Sequence, residues 1–179
     1  VSVLAQALAD VGVSRGDRVA GYLPNMPEAI TAMLATASLG AVWSSCSPDF
    51  GVRGAVSRFG QIAPKVLFTA DGYLYNGKQH DSLGPVARML EELPDVQRVI
   101  VGPYAEAVPD IRRVPKAVAL KAFTAGYAPV DIKFEQMPFD HPLFILYSSG
   151  TTGVPKCVVH GAGGTLIQHL KDHQLHSDI

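Results

Sequence analysis

The chain has 179 residues, of which 47% are hydrophobic and 17% are charged, a balance typical of one globular domain rather than of a disordered or coiled-coil protein. Its 15 basic and 16 acidic residues give a net charge of -1, which does not indicate nucleic acid or an anionic membrane surface as a partner. The two cysteines, Cys46 and Cys157, match neither a disulfide framework nor a metal motif, and this sparse usage predicts a reducing, cytoplasmic location.

Both ends of the sequence lead us to expect a piece of a longer protein. Val1 opens directly into an apolar stretch without an initiator Met or a basic segment, which argues against a secretory signal peptide. The helix predicted at 165–176 is barely complete when the chain stops at Ile179. The mean hydropathy of +0.17 predicts apolar surface meant for further chain, so we expect the isolated piece to aggregate or pack poorly.

The hydrophobic pattern predicts helices that alternate with strands. Helices are predicted at 1–12, 28–39, 52–62 and 84–93, and the strands that follow them at 16–23, 41–45, 65–70 and 97–102. These four helix–strand steps predict an α/β fold, layered around a largely parallel sheet. Prolines divide 103–142 into short pieces, which predicts a surface connection.

One uncharged stretch, 29–48, is long enough to cross a bilayer. It is interrupted by Gly40, is rich in Ser and Thr, and changes to a strand-like pattern at 41–45. These features favour a buried helix followed by a strand, so no membrane partner is predicted.

The residues that indicate chemistry lie after the apolar strand predicted at 143–147. Four hydroxyl residues and two glycines follow it directly: Ser148, Ser149, Gly150, Thr151, Thr152 and Gly153. Lys156 then supplies the only charge, and Pro155 stiffens the backbone beside it. Polyphosphate is held best by many N–H and O–H donors, one cation and a backbone without bulk, so 148–156 predicts a phosphate-binding loop.

The spacing of this loop argues against a Walker ATPase. The Walker pattern requires Lys directly after the second Gly, whereas Val154 and Pro155 intervene here and CVVH predicts a strand rather than a helix. The other interpretation is a plain turn between two strands. A hairpin turn, however, needs neither four hydroxyls nor a Pro-Lys pair.

The string YSSGTTGVPKCVVH (147–160) resembles the phosphate-loop signature of the adenylate-forming enzymes, the superfamily of acyl-CoA synthetases, luciferases and peptide-synthetase adenylation domains. Cys157 departs from the Gly that most of the superfamily places after the Pro-Lys pair. This residue and four further strings resemble the acetoacetyl-CoA synthetase branch: WSSCSPDFGV (43–52), RFGQIAPKVLF (58–68), DGYLYNGK (71–78) and PKCVVHGAGGTLIQHLKDH (155–173). The resemblance covers nearly the whole chain and is weakest across 105–130.

The resemblance implies that 1–179 is part of the large N-terminal AMP-binding domain of such an enzyme. Enzymes of this kind join a carboxylate to ATP, with Mg²⁺, and pass the acyl group to coenzyme A, so ATP, acetoacetate and CoA are the implied small-molecule substrates. The phosphate-binding role falls on 148–153 and Lys156. The catalytic lysine, the Mg²⁺-binding acid and the ribose site are implied beyond Ile179, so this piece is expected to be inactive alone, with no metal site of its own.

Two other functions stay open. A synthetase for acetate, propionate or another short acid would share the loop. A nucleotide-binding module without catalysis would share it too.

Weaker candidates surround the loop. His160 follows the predicted CVV strand and could approach a phosphate or the acyl group, or simply pack. Gly163 and Gly164 could bring a helix N-terminus close to an anion, although a plain capping box of Thr165 with Gln168 explains the same residues.

The remaining candidates have equally plain interpretations. Three residues could shape an acyl or pantetheine path, or fill the core: Trp43, Cys46 and Phe50. Three histidines at helical spacing have no carboxylate or Cys companion that follows a ligand motif, and a solvated face is favoured over a metal site: His169, His173 and His176.

Overall fold

The computed structural model describes residues 1–148 and 153–179. The helices in this part of the chain are α1 (Ser2–Asp10), α2 (Pro27–Ser38), α3 (Gly51–Phe59), α4 (Leu83–Glu92), α5 (Leu120–Thr124) and α6 (Ala162–Asp172). The strands are β1 (Arg18–Tyr22), β2 (Val42–Cys46), β3 (Val66–Ala70), β4 (Gly72–Tyr75), β5 (Lys78–Asp81), β6 (Arg98–Gly102), β7 (Ala117–Ala119), β8 (Pro142–Ser148) and β9 (Lys156–Gly161). A 3-10 turn at Pro48–Phe50 precedes α3, and a π-helical turn at His173–Ser177 follows α6.

Seven strands form one sheet in the order β7-β6-β3-β1-β2-β8-β9. Every neighbouring pair is parallel except β8 and β9, which form an antiparallel hairpin at the edge of the sheet. Helices lie in most of the connections: α2 between β1 and β2, α3 between β2 and β3, and α4 before β6. The predicted layered α/β fold with a largely parallel sheet is confirmed.

Helices cover both faces of the sheet, and the sheet separates two apolar cores. Residues of α1, α2 and α5 pack on one face around Trp43, Phe68 and Ile100. Residues of α3 and α4 pack on the other face around Tyr22, Phe59 and other fully buried side chains. Strand residues therefore alternate between the two cores, as the two-residue period of a strand dictates.

The structure contains elements that the sequence did not lead us to expect. A two-stranded hairpin, β4–β5, occupies residues left unassigned, and its turn places Asn76 and Gly77 at φ of 49° and 70°. Asn-Gly is the favoured pair for such a turn because both positions need positive φ. Part of the predicted surface connection 103–142 forms β7, which extends the sheet beside β6, and α5.

Two features of α6 differ from prediction. The helix begins at Ala162, three residues before the predicted start, and Thr165 lies inside it with its hydroxyl donating to the carbonyl of Gly161 at 2.8 Å. Gln168 donates instead to the carboxylate of Asp172, so the predicted capping box is wrong.

The stretch 29–48 contains most of α2 and then β2, the helix and strand that its pattern favoured. Over 1–148 and 153–179, none of the helices combines the length and the apolarity needed to cross a membrane.

Candidate functional site

A cleft of about 900 Å³ opens where three neighbouring parallel strands end. The residues just after β1 and β2 line it, together with Leu146 and Tyr147 near the end of β8. In open α/β sheets ligands bind outside the carboxyl ends of the strands, because loops there can be shaped without disturbing the sheet. The predicted phosphate loop follows β8 at this same carboxyl end of the strands.

The described ends of the loop are held in place by the β8–β9 hairpin. Ser148 is paired with Lys156, and Tyr147 with Cys157, so the first hydroxyl and the only cation of the loop lie on neighbouring strands. Both Ser148 and Lys156 are exposed, as groups that meet a ligand must be. Four predicted phosphate-binding residues lie outside the described residues: Ser149, Gly150, Thr151 and Thr152.

Gly153 meets the prediction that glycine lets this loop turn sharply. Its φ is +109°, a conformation that residues with a Cβ rarely adopt, and an added Cβ would meet open space. The backbone, rather than crowding, therefore accounts for glycine here. Because glycine has no side chain, a ligand can also come close to the backbone at this position.

The weaker phosphate candidates lie toward the other end of β9. His160 is exposed on that strand opposite Phe144, and Gly163 and Gly164 follow in α6. At ~3.3 Å per residue, His160 is about 13 Å along the strand from Lys156, and the start of α6 is further away. The structure therefore does not bring His160, Gly163 or Gly164 next to Lys156, the described end of the loop on this strand.

Two backbone N–H groups at the N-terminus of α6 already donate to carbonyls of the same chain. The N–H of Ala162 donates to the carbonyl of His141 at 2.8 Å, and the N–H of Gly163 donates to the carbonyl of Phe139 at 2.9 Å. The ring of Phe139 also lies 2.2 Å from where a Cβ of Gly163 would be. Close packing of Phe139 thus explains glycine at position 163 without an anion.

The three residues predicted either to line a path or to fill the core differ in burial. Trp43 and Cys46 are only 5% and 9% exposed and belong to the two apolar cores, whereas Phe50 is 50% exposed. All three nevertheless line the cleft. Trp43 and Cys46 therefore fill the cores and also line the cleft.

Arg58 brings the only guanidinium into the described wall of the cleft. Its guanidinium carbon lies 4.1 Å from the ring centre of Phe50 and 5.8 Å from that of Tyr147, and Nη1 donates to the carbonyl of Gly54 at 2.7 Å. Aromatic faces attract a cation, so these contacts fix the side chain of Arg58. No local pattern in the sequence indicates this arrangement.

Tyr147 is held in its neutral form at the cleft. Burial raises its pKa to about 12, and its hydroxyl lies 3.0 Å from Ser44 Oγ, which donates to the carbonyl of Ile145 at 2.8 Å. A phenol with a raised pKa is uncharged at neutral pH. Tyr147 therefore adds a polar but uncharged group beside Arg58.

Asp71 is a further residue that sequence reasoning missed. It follows β3, is 8% exposed, and accepts three backbone N–H bonds, from Tyr104 at 2.7 Å, Ala105 at 3.0 Å and Glu106 at 2.7 Å. A carboxylate that accepts several N–H groups holds a loop firmly because each bond is assisted by its charge. Asp71 thereby fixes the segment that places Tyr104 in the wall of the cleft.

Burial also determines the reactivity of Cys46. It raises the pKa of this thiol to about 12, so the thiolate, which is the nucleophile, is scarce at neutral pH. We expect iodoacetamide at pH 8 to label Cys46 in the native protein at least about tenfold more slowly than in protein unfolded by urea. Peptide mapping by mass spectrometry measures both rates. The labelling rate of the native protein should rise by about tenfold per pH unit and level off only near pH 12. Equal labelling of native and unfolded protein at pH 8 would contradict the raised pKa.

The described residues offer no metal centre. Within 1–148 and 153–179 there is no group of three or more His, Cys, Asp or Glu side chains that could hold an ion. His169, His173 and His176, which lie near the end of the chain in α6 and the turn after it, are therefore not part of such a group.

Comparison with known proteins identifies the class to which this fold and loop belong. The AMP-binding enzyme family matches residues 1–178. This chain belongs to the AMP-binding enzyme family.

Within this family, the chain is similar to acetoacetyl-CoA synthetases. The chain is 54% identical over 178 residues to acetoacetyl-coenzyme A synthetase of Rhizobium meliloti (strain 1021), which covers 98% of this chain and 27% of the relative. It is 53% identical over 185 residues to acetoacetyl-CoA synthetase of Mus musculus, covering 100% and 27%. The structure of acetoacetyl-CoA synthetase from Streptomyces lividans superimposes with a TM-score of 0.90 at 49% identity, over 99% of this chain and 27% of that one. The chain thus spans about a quarter of the length of the relatives it matches.

Proposed function

We propose that this chain forms the phosphate-binding part of a whole protein that ligates acetoacetate to coenzyme A. The reaction consumes ATP and passes through an acetoacetyl-adenylate, giving acetoacetyl-CoA, AMP and pyrophosphate. The observation that carries the proposal is the pairing of Ser148 with Lys156 at the edge of the sheet that also opens the cleft. Membership of the AMP-binding enzyme family and about 50% identity to acetoacetyl-CoA synthetases support it.

Stabilisation of negative charge is the proposed contribution of the loop. When a carboxylate attacks the α-phosphate, charge builds up on the leaving pyrophosphate. Lys156 and the hydroxyl of Ser148, held on paired strands, would lie ready to stabilise that charge without reorganising. The proposed phosphate ligands also include Ser149, Gly150, Thr151, Thr152 and Gly153. None of them acts as a covalent nucleophile, because the carboxylate attacks phosphorus directly.

Mg²⁺ would accompany the ATP and neutralise part of the phosphate charge. The loop offers hydroxyl oxygens, which Mg²⁺ accepts as ligands, but the described residues supply no cluster of carboxylates for it. The ion would therefore be held mainly through the phosphates and through residues outside this chain.

The cleft is the proposed approach for coenzyme A, the substrate of the second half-reaction. Aromatic side chains line it, among them Trp43, Tyr73 and Tyr104, and the guanidinium of Arg58 reaches into the same space. Apolar walls suit a pantetheine arm, aromatic rings suit a nucleotide base, and a cation suits a phosphate. The cleft also borders Tyr147, next to the first residue of the loop, so a thiol that passes through it would approach the adenylate.

The test of this proposal is pyrophosphate exchange by the complete protein. We expect exchange of labelled pyrophosphate into ATP that depends on acetoacetate, and acetoacetyl-CoA formation once CoA is added. With acetate or propionate in place of acetoacetate, we expect kcat/KM at least about tenfold lower, because a pocket built for a keto group leaves polar groups unpaired with the simpler acid.

Each alternative has its own result in the same experiment. Equal or faster exchange with acetate or propionate would identify a synthetase for another short acid. ATP binding with no exchange for any of these acids would identify a nucleotide-binding module without catalysis. Either result would contradict acetoacetate ligation.

A further inference from the structure

Gln61 ties the segment after α3 to the end of the phosphate loop. Its side-chain Nε2 donates to the carbonyl of Pro155 at 2.9 Å and to the carbonyl of Ser57 at 2.7 Å. Its Oε1 lies 3.5 Å from the sulfur of Cys157, whose S–H donates to it. One exposed side chain thus contacts both neighbours of Lys156, 94 and 96 residues further along the chain.

We propose that Gln61 is a positioning residue for Lys156. This inference rests on the proposed function, because it assigns Gln61 the task of holding the loop lysine in the direction from which it meets phosphate. Gln61 does not touch the ligand itself. It acts through Pro155 and Cys157.

The backbone geometry explains why this contact matters. The ring of Pro155 fixes its φ, so only its ψ remains free to swing the following peptide plane. The bond from Gln61 to the Pro155 carbonyl fixes that plane, and the plane sets the direction in which Lys156 leaves the backbone. The contact with Cys157 fixes the residue on the other side of Lys156.

The position of β9 adds to the need for such a support. β9 is the outermost strand, so Lys156 is paired on one side only, with Ser148 of β8. Edge strands fray more readily because half of their backbone groups lack a strand partner. A side chain anchored on α3 therefore replaces part of the support that a second neighbouring strand would provide.

Both N–H donors of the Gln61 amide are used, and its oxygen accepts one bond. Two N–H groups donate to the two carbonyls, which can only accept, and the oxygen accepts from the thiol of Cys157. The bond to Ser57 in α3 orients the side chain before the loop is reached. The preceding helix, α3, therefore pre-organises Gln61 through the carbonyl of Ser57.

The first test compares Gln61→Ala with wild type in the complete protein, by pyrophosphate exchange with acetoacetate. We expect kcat to fall about 3- to 10-fold, as expected for one or two lost hydrogen bonds, with KM for ATP changed less than about twofold. Gln97→Ala is the matched control, because Gln97 is also an exposed glutamine but lies before β6. The control should keep wild-type kcat, and both variants should keep the wild-type melting temperature.

The decisive measurement repeats Gln61→Ala in a Lys156→Ala background. A residue that acts through Lys156 has nothing left to position, so we expect the second substitution to change kcat less than about twofold there. A 3- to 10-fold loss in both backgrounds would show that Gln61 acts independently of Lys156 and would overturn the inference. Wild-type kcat for Gln61→Ala would overturn it as well.

A different result would contradict the proposed function. If Lys156→Ala keeps normal exchange, the loop role is wrong and the positioning role falls with it. If Lys156→Ala is slow but the two Gln61→Ala measurements do not show the expected difference, only the positioning role is wrong.

Discussion

Replacing Lys156 by Ala in the complete protein is expected to slow acetoacetate-dependent pyrophosphate exchange by about one to three orders of magnitude. This corresponds to a loss of ~1.4–4 kcal/mol of transition-state stabilisation. Lys156 is the only cation of the loop and is exposed beside Ser148, so no neighbouring loop charge can replace it. Because the pyrophosphate gains charge as it leaves, kcat should fall by a larger factor than KM for ATP rises.

Two variants show whether the loss comes from charge at this position. Lys156→Arg keeps the charge but spreads it over a planar fork, so an intermediate rate is expected. Lys133→Ala removes an exposed lysine that lines a different pocket from the cleft and should leave exchange unchanged. Pyrophosphate exchange, followed at saturating and at limiting ATP, measures all three. Normal exchange by Lys156→Ala would remove the phosphate role from the loop.

The main sheet could be predicted because its strands carry their signal locally. β1, β2, β3, β6 and β8 are short apolar runs between helical patterns, and burial between two layers of helices requires such runs. The alternation of helix and strand then dictated parallel pairing. The wrong boundary of α6 has a local cause too, since Thr165 bonds backward inside the helix rather than capping it.

The missed elements depend on contacts rather than on composition. β7 has only three residues and exists as a strand because β6 offers it a partner, which no local pattern reports. The β4–β5 hairpin is different, because the Asn76–Gly77 turn was readable in the sequence. Its polar second strand, Lys78–Asp81, concealed it.

The candidate site, like the fold, has one part that the local sequence predicts and another that depends on distant contacts. The phosphate loop is one continuous string, so its chemistry could be interpreted from the order of its residues alone. Asp71 and Gln61 act on backbone groups 33 and 94 residues away, and an isolated Asp or Gln gives no sign of such a partner. The cleft is assembled from the ends of several strands, so only the fold brings its residues together.

Replacing Asp71 by Ala is expected to release the segment 104–106 from the wall of the cleft. Three N–H groups would lose a nearly buried carboxylate, which costs about 2–4 kcal/mol locally. Amide hydrogen exchange at 104–106 should therefore become about 30- to 1000-fold faster. Since Tyr104 lines the cleft proposed for CoA, KM for CoA should rise several-fold.

Comparison of the two half-reactions distinguishes this local effect from general damage. Pyrophosphate exchange needs no CoA, so Asp71→Ala should keep it within about twofold of wild type while thioester formation suffers. Asp71→Asn can retain the oxygen that accepts from Tyr104 and Ala105 but loses the bond from Glu106, so it should lie between wild type and Asp71→Ala. Asp110→Ala, at an exposed ion pair with Arg112, is the matched control and should change neither reaction. Release of a loop at the CoA approach cannot slow a step that takes place before CoA binds. Equal loss of both half-reactions in Asp71→Ala would therefore mean that the carboxylate supports the whole fold rather than the cleft wall.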